Sequence, residues 1–275
     1  MKRRKFLDLS ASAGILAVIN AHAAFASPGC SVPKKKTDGK ARIISLRLLT
    51  TAPLTEMKKF YLETIGLPVV SEMADELIIR AGETTISFIK TEDTTSRPFY
   101  HFAFNIPENK IQSAFEWQRK RTPVIHPNPA GAKDEIVNFA HWNAHSVFFL
   151  DPAGNLLEYI ARHDMKNAVE GGFTAKDILY ASEIGFIVDD VVASGDALQK
   201  GLNIGEYRPT TPGFWPIGDE SGLLLMIQKG RVWTSHPDQK NETSVFKTSV
   251  TVRTIKRDKW GFSGYPYELL PATNS

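Results

Sequence analysis

The sequence predicts an α+β fold of repeated βαβββ modules. A central segment over 100–163 reads as a strand, a helix and a hairpin, with strands that alternate in polarity. A segment of the same order precedes it over 41–90, and a weaker one follows over 181–233. With 275 residues, of which 42% are hydrophobic, the chain is long enough to bury the core of such a fold.

The central copy begins with a strand over 100–107, followed by a helix over 108–121 whose apolar residues recur at three- and four-residue spacing. Strand alternation places His101, Ala103 and Asn105 on one face. The other face carries only large apolar residues, so we expect it to pack in the core. His101 therefore points away from the helix-packed side.

A tight turn closes the central copy. The run from Asp151 to Gly154 predicts a type I turn, because Pro favours its second position and Gly its fourth. The strand after it carries Glu158 on one face with Leu156 and Ile160. An unpaired buried carboxylate is too costly to keep, so Glu158 must face either solvent or a cavity that contains a partner.

The flanking copies are assigned on the same pattern. The first copy has a strand over 41–51, a helix over 54–66, and strands over 68–73, 76–81 and 84–90. The third copy has a strand over 182–189, a helix over 191–202 and a last strand over 222–229.

The pattern weakens after residue 233. One more strand is predicted over 244–254, because polar and apolar residues alternate there. The aromatic tail over 260–267 is expected to pack on the body of the protein or on the partner subunit of a homodimer.

His101, the turn Asp151-Pro-Ala-Gly-Asn155 and Glu158 together resemble the vicinal oxygen chelate superfamily. That superfamily includes glyoxalases, bleomycin-resistance proteins and extradiol dioxygenases. In it, a His on the first strand of a module and a Glu on the last strand bind a divalent metal. The resemblance therefore implies that His101 and Glu158 are metal ligands and that the cofactor is a divalent ion, with Fe, Mn, Zn, Ni and Co as the alternatives.

Modules of this superfamily are paired to form curved mixed sheets around a cavity, so the resemblance implies the same architecture here, and three copies raise the question of which two pair. We expect copies one and two to pair, because they are adjacent and copy one is the better preserved. The domain would then span 41–163, and a C-terminal region over 164–275 would contain the third module. Copy one has no ligand at the matching positions, which fall at Ser45 or Leu46 and near Ile86.

The alternative pairing of copies two and three would add one carboxylate to the site. Glu183 stands at the first-strand position of copy three, and Met226 stands at its last-strand position. His145, Glu183 and Asn105 are therefore candidates for an additional ligand or a substrate contact. Two of them have a plainer interpretation, a structural hydrogen bond for His145 and a solvent-facing position for Glu183.

The resemblance implies a metal-dependent enzyme, either a lyase or isomerase or a ring-cleaving dioxygenase, that acts on a small oxygenated substrate. A metal-free protein that sequesters a small molecule, of the bleomycin-resistance type, is the alternative. The lack of ligands in copy one favours this alternative, whereas His101 and Glu158 favour the enzyme. Motifs of dinucleotide, phosphate-loop and serine-hydrolase sites are missing from the sequence.

The first residues predict export. Arg3 and Arg4 precede a mild apolar run, which resembles a twin-arginine signal over 1–26 with cleavage after Ala26. A linker over 27–40 follows, and the mature protein is expected in the periplasm or outside the cell. Cys30 lies in this linker, and membrane attachment is expected only if Cys30 is lipidated.

Charge argues against a nucleic-acid partner. The chain has 33 Lys and Arg residues against 30 Asp and Glu, and removing the four basic residues and one acidic residue of 1–26 leaves 29 of each sign. A neutral mature chain gives no reason to expect nucleic acid or an acidic surface as partner, and a small molecule is the expected one. A single cysteine also excludes an intrachain disulfide.

Overall fold

The computed structural model describes residues 41–93, 95–126, 134–232, 243–253 and 259–272. The predicted signal and linker, 1–40, lie outside the described residues. No helix in the described part of the chain is long and apolar enough to cross a membrane.

The first copy follows the predicted order. Its elements are β1 (Arg42–Thr50), α1 (Leu54–Lys58) continued by a π-helical turn (Lys59–Ile65), β2 (Val69–Glu72), β3 (Glu76–Ala81) and β4 (Thr84–Lys90). The helical segment ends at Gly66, whose φ of +83° is the left-handed conformation that glycine accepts at a helix C-terminus.

The central copy is a strand, a helix and an antiparallel hairpin. Its elements are β5 (His101–Ile106), α2 (Ile111–Arg119), β6 (Val124–Ile125), β7 (Val137–Phe139), a 3₁₀ turn (Ala140–Trp142), β8 (Ala144–Leu150), β9 (Leu156–Arg162) and a 3₁₀ turn (His163–Met165). The helix begins three residues later than predicted, because Lys110 donates to the Pro107 carbonyl in a turn that precedes it. A β-turn at the predicted place is confirmed by a hydrogen bond from the Gly154 backbone to the Asp151 carbonyl.

The third copy and the C-terminal strands complete the chain. The elements are a 3₁₀ turn (Ala175–Asp177), β10 (Tyr180–Val188), α3 (Val191–Leu202), β11 (Phe214–Asp219), β12 (Gly222–Gln228), β13 (Thr248–Arg253), β14 (Trp260–Gly261) and β15 (Tyr267–Pro271). Helix α3 has the predicted bounds, since Asp190 accepts a hydrogen bond from the Ala193 backbone and so caps it.

Among the described residues the strands form two mixed sheets. The first has seven strands in the order β14-β15-β13-β1-β4-β3-β2, and the second has eight, with β7 paired on β8 beside the path β11-β12-β10-β5-β9-β8-β6. The predicted fold class is confirmed, because the sheets are curved and open and are built from the repeated modules.

The pairing of copies one and two was a wrong prediction. Strand β5 pairs antiparallel with β10, so copies two and three share the second sheet. Strand β1 pairs antiparallel with β13, so copy one shares the first sheet with the C-terminal strands. The physical reason is that each first strand has one edge left open by its own module, and β13 fills the open edge of β1.

The core lies between the two sheets and their helices. Apolar side chains of both sheets, among them Leu46, Phe88, Phe104 and Ile184, belong to one buried cluster. Part of the aromatic tail joins it, because Phe262 and Tyr267 pack against Phe186, which confirms that the tail packs on the body.

Each sheet has a second face, which points away from this core. We call the face that carries Arg47, Ser87 and Ser249 the first cleft. The face of the second sheet that carries His101, Glu158 and Glu183 is the second cleft.

Candidate metal centre

Three ionisable side chains converge in the second cleft. His101 Nε2 lies 3.4 Å from Glu158 Oε2 and 3.8 Å from Glu183 Oε2. One ligand atom from each residue lies within 4.8 Å of the other two. All three side chains are buried, with at most 7% of a residue exposed. Within the described ranges this is the one group of three or more such residues that is arranged to hold a metal ion.

The register of three adjacent strands produces this convergence. Ala103 on β5 lies opposite Glu158 on β9 and opposite Glu183 on β10. His101 precedes Ala103 by two residues and shares its face. The methyl group of Ala103 is small enough to leave space between the two carboxylates.

The backbone fixes the orientation of the imidazole. His101 Nδ1 lies 3.0 Å from the Leu156 carbonyl oxygen, and a carbonyl can only accept, so Nδ1 donates. In a neutral ring this assigns the lone pair to Nε2, the atom that faces the two carboxylates. A ligating His that donates its other ring nitrogen to a carbonyl is the usual arrangement in metal sites.

Burial and mutual repulsion disfavour the charged forms of the two adjacent carboxylates. The pKa of Glu158 lies well above its ordinary value, mainly because burial disfavours the charged form and then because Glu183 is a like charge. The Ser146 hydroxyl and the Arg162 guanidinium oppose this shift. A cation between the carboxylates would relieve the same repulsion.

Arg162 forms an ion pair with Glu183, through the carboxylate oxygen that does not face His101. Its Nη2 donates to Glu183 Oε1, and its Nε donates to the Glu220 carbonyl oxygen at 3.1 Å. The two oxygens of Glu183 are therefore divided, with Oε1 on Arg162 and Oε2 facing His101.

The donor set fits a divalent ion. One imidazole nitrogen and two carboxylate oxygens suit Mn, Fe(II), Co, Ni and Zn. Three protein ligands also leave coordination positions for water or substrate, as catalytic sites require.

The position on β12 that is equivalent to Glu158 on β9 would supply a fourth ligand, but it is apolar. Glu158 lies opposite Ala103, two residues after His101, and Leu225 lies opposite Gly185, two residues after Glu183. The alignment of the copies had placed this position at Met226, which the register corrects by one residue. Met226 belongs to the core on the other face of β12, whereas Leu225 packs in a separate cluster with Tyr207.

The other two candidate residues make different contacts. His145 lies opposite Ala161, on the face away from Glu158, and its Nδ1 lies 2.8 Å from His163 Nε2. Burial and then the neighbouring His163 lower its pKa. Asn105 shares the face of His101 but lies beyond Ala103, and its amide donates to the Tyr180 hydroxyl and to Met165 Sδ.

Sequence reasoning missed an aromatic cover over the second cleft, formed by Phe139, Trp142, Tyr207 and Phe214. The ring of Trp142 lies 5.3 Å from that of Tyr207 and 6.3 Å from that of Phe214, and Phe139 lies 6.3 Å from Phe148. These residues come from two modules and follow no local period, so no pattern in the sequence pointed to them. A separate small cavity of about 10 Å³, room for about one water molecule, is lined by His101 with Gly185 and Phe246, and none of the four cover residues lines it.

Sequence reasoning also missed what the turn at Asp151 does. The buried Asp151 carboxylate accepts hydrogen bonds from the Asn155 amide and from the hydroxyl of Tyr61 in the first copy, both at 2.7 Å. Asn155 Oδ1 accepts from the backbone of Tyr100, the residue before His101. The turn therefore ties the first copy to the start of the strand that carries His101.

The comparisons with known proteins agree with this fold. No protein-family model matches the chain. Glyoxalase 1 of Caenorhabditis elegans is 23% identical over 129 residues, which are 43% of this chain and 46% of that protein. The chain thus spans about half the length of this curated relative.

Two crystal structures resemble the whole arrangement. A glyoxalase I mutant from Zea mays has a TM-score of 0.51 at 14% identity, over 84% of this chain and 92% of that one. A putative dioxygenase from Bacillus subtilis has a TM-score of 0.53 at 16% identity, over 77% of this chain and 70% of that one. At such identities the likeness concerns the fold alone, so the chain has a glyoxalase-like fold.

Proposed function

We propose that the protein is an enzyme of the glyoxalase and dioxygenase type that binds one divalent ion through His101, Glu158 and Glu183 and acts on a small oxygenated substrate. The observation that carries the proposal is the convergence of three buried ligand atoms, with the His101 lone pair directed at both carboxylates. Such a group is expensive to bury without a cation at its centre.

The residues of the second cleft have separable tasks in this proposal. The Leu156 carbonyl orients His101, and Arg162 fixes Glu183. The aromatic cover excludes water, which strengthens electrostatic interactions inside the cleft. When bound, a divalent ion supplies Lewis-acid polarisation of adjacent substrate oxygens.

A reaction survey tests the proposal. Protein loaded in turn with Fe(II), Mn, Co, Ni and Zn is assayed for oxygen uptake with catechols and for isomerisation of small 2-oxo compounds. Turnover should depend on one of these metals and be lost in Glu158→Gln. Turnover that survives both chelation and this substitution would contradict the proposal.

Metal-free binding of a small molecule is the second candidate function. Two observations favour it: Arg162 already pairs with Glu183, and Leu225 replaces a fourth ligand. The test is to compare the binding of small molecules, such as the catechols and 2-oxo compounds of the survey, to chelator-treated and to metal-loaded protein. Equal affinities would support this candidate over the enzyme.

Export by the twin-arginine route remains part of the proposal. The double substitution Arg3→Lys with Arg4→Lys should leave the precursor in the cytoplasm, and cell fractionation measures this. Normal amounts of mature protein beyond the inner membrane would contradict the route. Homodimer formation also remains a prediction, which sedimentation of the mature chain checks.

A further inference from the structure

Arg162 is a buried cation with hydrogen-bonding capacity left over. The residue is only 1% exposed. Its Nε and Nη2 donate to Glu220 and Glu183, whereas Nη1 has no hydrogen-bond partner among the described residues. Native structures rarely leave a buried charged donor unused, so a donor of this kind calls for a ligand.

A second unused donor belongs to a residue that shares the Trp142 ring with Arg162 as a neighbour. The Tyr207 side chain is 5% exposed, and its hydroxyl also lacks a partner in the described part of the chain. Arg162 and Glu183 are both near enough to act on the pKa of this hydroxyl, which burial raises. The ring of Trp142 contacts both, at 5.3 Å from the Tyr207 ring and 5.8 Å from the Arg162 guanidinium.

With a divalent ion bound at the centre, the buried groups would carry one positive charge in excess. A divalent ion balances Glu158 and Glu183 when His101 is neutral, which leaves the charge of Arg162 uncompensated. The other charged groups that act on Tyr207, Arg208 and Glu220, balance each other. One bound anion would therefore neutralise the buried site, as buried charges require.

We propose that Arg162 Nη1 and the Tyr207 hydroxyl bind the carboxylate of a small organic acid, so that the substrate of the second cleft is a carboxylic acid. This proposal rests on the proposed function, because the acid lies beside the metal centre. The rest of the acid packs on the apolar half of the cleft, where Leu225, Trp142 and Phe214 form one cluster with Tyr207. Trp142 must move for the acid to enter, since Arg162 is fully covered.

Benzoate and its neutral counterpart benzamide serve as probes, and Tyr207→Phe is the decisive variant. Because the Tyr207 hydroxyl has no protein partner, removing it should leave folding and metal content unchanged. If Tyr207 had only a structural role, the substitution would also leave ligand binding unchanged. Titration calorimetry on the metal-loaded mature chain should find benzoate bound at least tenfold more tightly than benzamide. Tyr207→Phe should weaken benzoate binding about tenfold, as for a hydrogen bond to a charged group.

Tyr265→Phe is the matched control, because the Tyr265 hydroxyl bonds to Asp189 at 3.0 Å, outside the cleft. Unchanged benzoate affinity in Tyr207→Phe would overturn the proposal. Metal content, measured separately, reports on the proposed function alone. If the wild type holds no metal, the two unused donors still predict that it binds benzoate and that Tyr207→Phe weakens this binding, and failure of either result would refute the carboxylate site as well.

Discussion

The two clefts have the same strand arrangement but different side chains at the positions that matter. In the first cleft Arg47 lies opposite Ser249 and Ser87, as Ala103 lies opposite Glu183 and Glu158 in the second. Ser45 correspondingly takes the place of His101. The fourth position is Leu270 in the first cleft and Leu225 in the second. Leu270 lies opposite Thr251, and Leu225 lies opposite Gly185.

This difference separates what the fold provides from what the residues provide. The first cleft is open, with a cavity of about 370 Å³ lined by residues such as Arg47, Lys247 and Glu268. Its hydroxyls are satisfied locally, since Ser45 donates to Thr251 and Ser249 donates to Glu268. A curved sheet therefore supplies a cleft, but ligands at three positions and a small residue between them supply a site for an ion.

The largest difference in stability is expected between substitutions of Arg162 in the second cleft and Arg47 in the first. Arg162→Met leaves Glu183 buried without its partner and should destabilise the chelator-treated protein by about 3–5 kcal/mol. The Arg47 side chain is 47% exposed, and its Nη1 lies 2.9 Å from Glu76 Oε1. Arg47→Met breaks this exposed ion pair and should lower the free energy of unfolding by about 0–1 kcal/mol. Urea unfolding measures both, and equal losses would show that the second cleft is not the more tightly coupled site.

Asp151 joins the two halves of the molecule and should make their junction sensitive to pH. Burial raises its pKa from 3.8 to about 6, against the opposing effect of its hydrogen bonds. The folded state thus binds the proton more tightly, so the stability that this group contributes falls as pH rises from about 4 to 6. The change is of order 3 kcal/mol.

Unfolding of Asp151→Asn, measured over the same pH range, provides the test. The substitution removes the titrating group, so the wild type should lose more stability than the variant between pH 4 and 6. Parallel pH profiles for the two proteins would refute the assignment to Asp151.

Ala103 tests the space between the carboxylates. Ala103→Leu should cost about 1–3 kcal/mol through overpacking and should weaken metal binding, because the larger side chain enters the space that the ion would occupy. Thermal unfolding with and without metal measures both effects. A variant that is stabilised by metal as much as the wild type would contradict this view of the centre.

The smallest effect is expected in the first cleft. Ser87→Ala, at the position equivalent to Glu158, should change stability by no more than about 0.5 kcal/mol and should leave metal content unaltered. Loss of bound ion in this variant would mean that the first cleft is the metal site.

The sequence was sufficient for whatever depends on local alternation. The faces of β5 and β9 were predicted correctly, because a strand repeats every two residues and each carries a clear apolar face. Alternation alone therefore placed His101 and Glu158 on one side of the same module.

Long-range pairing could not be read in the same way. Among the described residues the C-terminal partner of copy one has three strands and no helix, so it did not resemble a fourth copy. Glu183 remained a secondary candidate for that reason, and the irregular register between Ala181 and Glu183 further obscures its face. The one-residue error at Met226 has the same origin, since only the pairing with β10 fixes Leu225.

The central claim is that one divalent ion binds per chain, in the second cleft. Equilibrium dialysis of the mature chain with each metal, followed by elemental analysis, tests it most directly when Glu158→Gln and Ser87→Ala are run beside the wild type. We predict one ion per chain in the wild type and in Ser87→Ala, and an affinity lowered more than about 100-fold in Glu158→Gln, beyond the loss typical of residues that only support ligands. No bound ion in the wild type, or an ion retained at full affinity in Glu158→Gln, would contradict the claim.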